Sequence, residues 1–265
     1  MTAVLACPHC GDALERTDSG AACAAGHSFD RAREGYLNLL PGGRLPASTV
    51  AGDTADALAA RRRFLSTGAY SPVADAVASA LGDVDGALLD IGCGEGWYLA
   101  RMVAPSRFGI DISKKAVQMA ARSLPDADFA VASSRRMPVL DGSCAAVMSV
   151  FAPHPFDEIA RVLRPGGTWV TATPGPMHLH EMRPAHLPGS SAEERFARRA
   201  EPPEGAGDAV RVTFTLALTA QSAADLHGMT PLQWQKGSTA SAVDSVTVDV
   251  WVARGTRDSI DCPAG

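Results

Sequence analysis

The stretch Ala87-Leu-Leu-Asp-Ile-Gly-Cys-Gly-Glu-Gly96 constrains this chain more than any other ten residues. An apolar run ends on an acid, Asp90, and then on Gly92, Gly94 and Gly96. That order spells a buried strand, a tight turn and the start of a helix. Glycine is needed where the backbone takes unusual φ values and passes close to a ligand. The dinucleotide fingerprint G-x-G-x-x-G would need glycine at position 97, where Trp97 stands, so a nicotinamide dinucleotide is the weaker reading. A second acid, Asp111, closes the next apolar run, Phe108-Gly-Ile-Asp111. Two acids about 20 residues apart around a glycine loop suit a different nucleoside.

From Ala87 onward, strand and helix patterns alternate, as a parallel sheet requires. Strands are expected at 87–91, 107–111, 128–132, 145–151 and 167–173, with helices near 96–103, 113–123 and 155–163. Arg164-Pro-Gly-Gly167 reads as a helix stop and a turn into the fifth strand. Two late alternating runs, 210–218 and 245–253, are expected to pair as antiparallel strands six and seven, completing a seven-stranded α/β, Rossmann-like sheet. Pro184 to Asp208, rich in Pro, Gly, Glu and Arg, reads as a mobile loop on the substrate side. With 46 % hydrophobic residues, 265 residues can build one large α/β domain and a small extra module.

That extra module stands first. Cys7-x2-Cys10-x12-Cys23-x3-His27 has the spacing of a zinc site with three thiolates and one imidazole. Four protein ligands close the coordination sphere, so the metal is structural. About 35 residues bury too little core to fold unaided, and metal binding supplies the missing free energy. His9, between the knuckle cysteines, is not favoured over His27; Cys93, Cys144 and Cys262 read as buried or incidental thiols. The organisation expected is a zinc module at 1–40, a linker and helices at 41–84, and the catalytic domain at 85–265. Gly42 to Gly52 reads as the linker. The helix from Asp53 has an acidic start and a basic run, Arg61 to Arg63, open to two readings: an RNA-phosphate contact or a solvated face. Ser71 to Leu81 is expected to be a second helix.

No apolar run approaches the roughly 20 residues of a membrane span, and no basic, signal-like start precedes Cys7, so a cytoplasmic protein without membrane contact is expected. The net charge of −5 does not advertise nucleic acid, although a local basic face can act alone.

The glycine triplet flanked by Asp90 and Asp111 resembles motifs I and II of class I S-adenosylmethionine methyltransferases, and the Leu163-Arg-Pro-Gly-Gly167 turn is common among them. By that resemblance Asp111 takes the ribose hydroxyls and the glycine loop lies against the methionine part of the cofactor. Further phrases narrow the likeness: Glu34-Gly-Tyr-Leu-Asn-Leu-Leu-Pro41, Ala60-Arg-Arg-Arg-Phe-Leu-Ser-Thr-Gly-Ala-Tyr70, Ala132-Ser-Ser-Arg-Arg-Met-Pro138, Phe151-Ala-Pro153 and Thr173-Pro-Gly-Pro-Met-His-Leu-His-Glu181. Together with the zinc module they resemble the RlmA-type 23S ribosomal RNA guanine-N1 methyltransferases, one branch of which confers resistance to tylosin-type macrolides. The resemblance covers residues 7 to about 181 and continues weakly through Met229-Thr-Pro-Leu-Gln-Trp234.

What it implies is methyl transfer to N1 of one guanine in a 23S rRNA hairpin loop, a zinc module that helps grip the RNA, and a homodimer. The cofactor residues implied are Tyr70, Asp90, Gly92, Gly94, Gly96, Trp97, Asp111, Ile112, Ser133 and His178; the zinc ligands are Cys7, Cys10, Cys23 and His27. Trp97 replaces the usual tyrosine, and either aromatic can pack on the cofactor. The segment after Glu181 is shorter and richer in Pro and Gly than the family pattern, which keeps a small-molecule acceptor open as an alternative substrate. A non-enzymatic protein that binds zinc and cofactor is the third alternative.

A loop guanine can be unstacked and its Watson–Crick edge offered to a pocket. N1 of neutral guanine carries a proton, so a base or a polarised O6 must help remove it. His154 and Glu181 are the candidate bases. Phe151 is either a stacking platform for the guanine or a core aromatic beside a proline turn.

Overall fold

The computed structural model describes residues 4–43, 54–183, 201–203, 205–234 and 243–260. Cys262, most of the expected linker at 42–52 and residues 184–200 of the expected mobile loop lie outside the described residues. By packing, the chain divides into two compact units. The first holds residues 1–52, 81–171 and 254–265; the second holds 53–80 and 172–253.

The first unit begins with a small three-stranded sheet, β1 (Glu15–Arg16), β2 (Gly20–Ala22) and β3 (Ser28–Asp30), paired antiparallel in that order. A two-residue strand, β4 (Leu37–Asn38), follows. The main sheet then takes β5 (Ala87–Ile91), β6 (Ser106–Asp111), β7 (Asp128–Val131), β8 (Cys144–Val150) and β9 (Leu163–Pro174). Their order is β9-β8-β5-β6-β7-β4, with β5 parallel to both β6 and β8, and β7 parallel to both β6 and β4. The two central strands are covered on both faces: every residue of β5 and β8 is buried, Asp90 and Ser149 included. Full burial of one Leu, Ile or Val contributes roughly 1.5–3 kcal/mol. Leu88, Leu89, Ile91 and Met148, all without exposure, are the sheet's centre.

The crossover helices are α3 (Lys114–Ser123) and α4 (Phe156–Val162). Ser113 caps α3, its Oγ accepting from Ala116 N–H at 3.3 Å. The helix expected at 96–103 is not formed. Only one 3-10 turn, Leu99–Arg101, follows the glycine loop. Gly96 enters with φ +80° and Met102 is already extended; Pro105 next disfavours helical backbone at Ala104. The fifth strand starts earlier than the expected 167, with Leu163 already in β9.

The second unit contains helices α1 (Ala55–Ser66) and α2, which runs to the unit's border (Ser71–Leu81), then strand β10 (Asp208–Ala217), helix α5 (Ala220–Gly228) and most of β11 (Ser245–Thr256). β11 lies between β10 and β9. The strands expected at 210–218 and 245–253 are therefore present, and β4 adds an eighth to the seven foreseen. Thr54 caps α1 through its Oγ1, which accepts from Ala57 N–H at 3.2 Å. The arginine run staples α1 to α5: Arg63 forks onto Asp225, with Nη2 to Oδ1 at 2.6 Å, and Arg61 donates to Met229 O at 3.3 Å. Among the described residues, no helix is long and apolar enough to cross a membrane.

Candidate zinc centre and cofactor site

The Cys7–Cys10 knuckle and the Cys23–His27 pair converge, and their four ligand atoms lie within 4.8 Å of one another. Cys10 Sγ is 3.6 Å from Cys23 Sγ, and His27 Nδ1 is 3.6 Å from Cys7 Sγ and 3.4 Å from Cys23 Sγ. A tetrahedral ion with bonds of about 2.3 Å to sulfur sets its ligands about 3.7 Å apart, so the donor set and its edges fit one zinc. Cys7 N–H donates to Asp12 O at 2.7 Å and Gly11 N–H to Cys7 O at 2.8 Å, which closes the knuckle. His9 lies beside His27, tilted, at 5.1 Å between ring centroids, and stands outside the ligand set.

The module is fastened to the core. Asp128, at the head of β7, accepts from Arg16 at 2.9 Å and from Arg31 at 3.3 Å; Arg122 of α3 pairs with Glu34 at 2.6 Å. Tyr36, Leu37 and Leu39 are buried, each 3 % exposed or less.

In the glycine loop all three expected glycines take positive φ: +69° at Gly92, +55° at Gly94 and +80° at Gly96. At Gly92 space is a second reason, because a Cβ there would sit 2.5 Å from the Ala152 methyl. The loop is pinned to β6 by Gly92 N–H and Cys93 N–H, which share Ile110 O at 2.8 and 3.0 Å. Asp111 then reaches back: one carboxylate oxygen accepts from Gly94 N–H at 2.9 Å and the other from Ser113 N–H at 2.7 Å. Asp90 is 2 % exposed, and its carboxyl is held well above the usual range, first by burial and then by the neighbouring Asp111 charge. Ile112 and Ser133 are half-buried, and Ser133 Oγ accepts from Arg135 N–H at 3.2 Å. Trp97 is half-buried, with the Arg101 guanidinium 3.4 Å from its ring centroid and Tyr98 edge-on at 4.8 Å.

Past β8 the chain turns sharply. Phe151 is held at φ +54°, an outlier for an aromatic residue, and remains 36 % exposed. Ser149 Oγ ties the turn by donating to Ala152 O and Pro153 O at 3.2 and 3.1 Å. Phe151 faces Tyr98 at 6.4 Å. His154 Nδ1 lies 3.2 Å from Ala152 O. A carbonyl only accepts, so Nδ1 carries the proton and Nε2 is left as the basic nitrogen.

In the second unit Tyr70 and His178 are both buried and meet edge to face at 6.3 Å. His178 Nδ1 accepts from Asp249 N–H at 3.2 Å, which puts the neutral ring's proton on Nε2. Burial pushes the Tyr70 phenol well up. Glu181, a candidate base, is otherwise engaged: its Oε1 accepts from Thr247 N–H at 2.8 Å and Thr247 Oγ1 at 2.7 Å. Burial alone would raise its carboxyl, but these bonds hold it below the usual range. It fastens the turn to β11.

Sequence reasoning missed Asp249. Fully buried, it accepts from Arg211 Nε at 2.7 Å and Nη2 at 2.9 Å, from Thr213 Oγ1 at 3.2 Å and from Met177 N–H at 2.8 Å. The signal was Gly175, where a Cβ would lie 2.6 Å from that carboxylate.

Known proteins resemble the chain in both parts. Residues 5–44 match the family model described as RlmA, N-terminal, a zinc ribbon, and residues 88–167 match a methyltransferase domain. A 23S rRNA (guanine(748)-N(1))-methyltransferase of Streptomyces fradiae is 37 % identical over 245 residues, covering 88 % of this chain and 86 % of that one. Proteins described as 23S rRNA (guanine-N(1)-)-methyltransferases are 36 % identical in Micromonospora griseorubida (263 residues, 87 % of this chain and 86 % of that one) and 30 % identical in Bacillus subtilis strain 168 (251 residues, 86 % of each).

Proposed function

The chain belongs to the 23S rRNA (guanine-N1)-methyltransferase family with the RlmA-type zinc ribbon, and from that premise we propose that it transfers a methyl group from S-adenosylmethionine to N1 of one guanine in a 23S rRNA hairpin loop. The observation that carries this reading is one chain holding both the Cys7/Cys10/Cys23/His27 cluster and the loop in which Asp111 and three positive-φ glycines face one another. A substrate in the ribosome makes the cytoplasm its place of work.

Ligands of such sheets bind across the carboxyl ends of the strands. Here the loops after β5, β6 and β7 lie side by side, in the order Gly92–Gly96, Asp111–Ile112, Ala132–Ser133. That order supports a cofactor laid across them, with methionine on the glycine loop, ribose hydroxyls on the Asp111 carboxylate, and the nucleobase beside Ile112 and Ser133. Bound there, the cofactor supplies a methyl group already activated by its sulfonium. Asp90 adds a buried acid beneath the loop, and the Trp97 ring offers an apolar wall. Tyr70 and His178, which the family resemblance assigns to the cofactor, share one aromatic corner of the second unit.

For the acceptor, the strained and partly exposed Phe151 suits a stacking platform for an unstacked guanine. His154, three residues on, has the tautomer a base needs, whereas Glu181 is occupied by Thr247. We assign His154 to take the N1 proton. His154→Ala is expected to lower turnover about 10²–10⁴-fold while cofactor affinity stays constant by calorimetry. A variant with full turnover removes His154 from the mechanism.

The test of the whole reading is transfer of labelled methyl to deproteinised 23S RNA, mapped by reverse transcription. N1 methylation blocks the pairing edge, so one new stop at a hairpin guanine identifies substrate and atom together. Cofactor binding with no incorporation into RNA transfers the assignment to a small-molecule acceptor.

A further inference from the structure

The connection from Val131 to Leu140 is stitched to the zinc module at both ends. At its start β4 lies along β7, with Leu37 opposite Ala130 and Asn38 opposite Val131, and Leu39 N–H donates to Val131 O at 3.0 Å. At its end Leu5 bridges Val139, Ala6 N–H donates to Pro138 O at 2.9 Å, and Leu140 N–H donates to Val4 O at 2.9 Å. Both seams are dry: Val4, Ala6, Leu37, Leu39 and Val139 are each 6 % exposed or less. Ala6 is directly bonded to the ligand Cys7. Between the seams run residues 132–137, which carry Ser133. On the core side the connection is tied where the cofactor is read: Ala132 N–H donates to Asp111 O at 3.0 Å.

From this juxtaposition we infer that zinc in the ribbon fixes the Val131–Leu140 connection and thereby sets the enzyme's affinity for the adenosine half of its cofactor. The inference rests on the placement of the nucleobase beside Ser133 given above. A ribbon this small draws its folding energy from the metal. Without it the knuckle at Cys7–Cys10 opens, the Val4–Ala6 seam loses its anchor, and the connection samples other conformations. A ligand that needs the ordered connection then binds more weakly by the fraction of molecules that retain it. A zinc module that served only as an arm for RNA would leave cofactor affinity untouched.

The experiment uses the full chain, loaded with zinc or stripped by a chelator, and titrates S-adenosylhomocysteine and adenosine by calorimetry. Amide exchange is followed at 131–140 and in β5 and β8. Stripping is expected to weaken both ligands by the same factor, about tenfold if the ordered connection falls to about a tenth of the population. Exchange should quicken at 131–140 while β5 and β8 stay protected, and added zinc should restore both. Ala6→Pro separates metal from seam: it deletes the N–H donated to Pro138 O, keeps all four ligands, and should weaken adenosine with zinc still bound at one per chain. If stripping unfolds the chain, this variant decides alone. Unchanged adenosine affinity in the stripped protein and in the zinc-loaded Ala6→Pro protein overturns the inference. A loaded wild-type protein that binds neither ligand overturns the cofactor reading instead, and the exchange data still report whether zinc orders the connection.

Discussion

Two regions of the molecule bury aspartates for opposite ends. Beneath the glycine loop, Asp90 is buried beside a second acid, Asp111, and its carboxyl is raised by the burial and by that charge. Beneath the Gly175–Arg183 turn, Asp249 is equally sealed but receives four donors, Arg211 first among them, and its carboxyl is lowered. A saturated carboxylate holds structure together. A buried carboxyl beside another acid is kept at a cost in stability.

The largest effect is expected from Asp249→Ala. It orphans the Met177 N–H and frees the turn that carries His178, so unfolding in urea should show a loss of about 3 kcal/mol. A loss within experimental error would make Asp249 no more structural than Asp90. Next in size is Asp111→Ala. Two hydrogen bonds from ribose hydroxyls to a charged acceptor amount to about 10²-fold in affinity, which calorimetry with S-adenosylmethionine should show alongside a smaller change in melting temperature. If stability fell and affinity did not, Asp111 would belong with Asp249. Gly92→Ala forces a methyl against Ala152 at a positive φ, for which about 1–2 kcal/mol of strain is expected; the melting temperature and turnover should fall together, since Ala152 carries the Phe151–His154 turn. Normal turnover in a folded variant would uncouple the two loops.

The smallest effects are in pH dependence, and their signs differ. The raised carboxyl of Asp90 favours the fold below the ordinary carboxylate pKa, an advantage lost as pH climbs through the folded value. Asp90→Asn should therefore stabilise the cofactor-free protein at neutral pH and flatten that decline. The lowered carboxyl of Asp249 favours the fold above the ordinary value and loses its contribution on acidification. Asp249→Asn should flatten the acid limb instead. Melting curves from pH 3 to 8 would show both, and equal slopes for the two variants would erase the distinction.

Much of this was legible in the sequence because the signals are local. The zinc ligands follow from spacing, and the glycine loop and Asp111 from a strand-turn-acid order that spans few residues. What escaped was set by distant partners. In Ser245–Thr256 the alternation reads Asp249 as facing solvent, yet that face is covered by a turn more than 70 residues earlier in the chain. The arginine run left two readings open, and Asp225, 162 residues on, engages Arg63. β4 is two residues long, too short to carry any periodicity. The helix expected after Gly96 fails because the backbone enters at φ +80° and is extended again by Met102, leaving room for one turn.

Phe151 shows where this protein resists improvement. At φ +54° glycine would relax the backbone, so selection for thermal tolerance alone should favour Phe151→Gly. The same replacement removes the ring assigned to the guanine. If that assignment holds, evolution toward a hardier enzyme is steered away from this turn, and robustness accumulates elsewhere, in caps and surface pairs remote from β8.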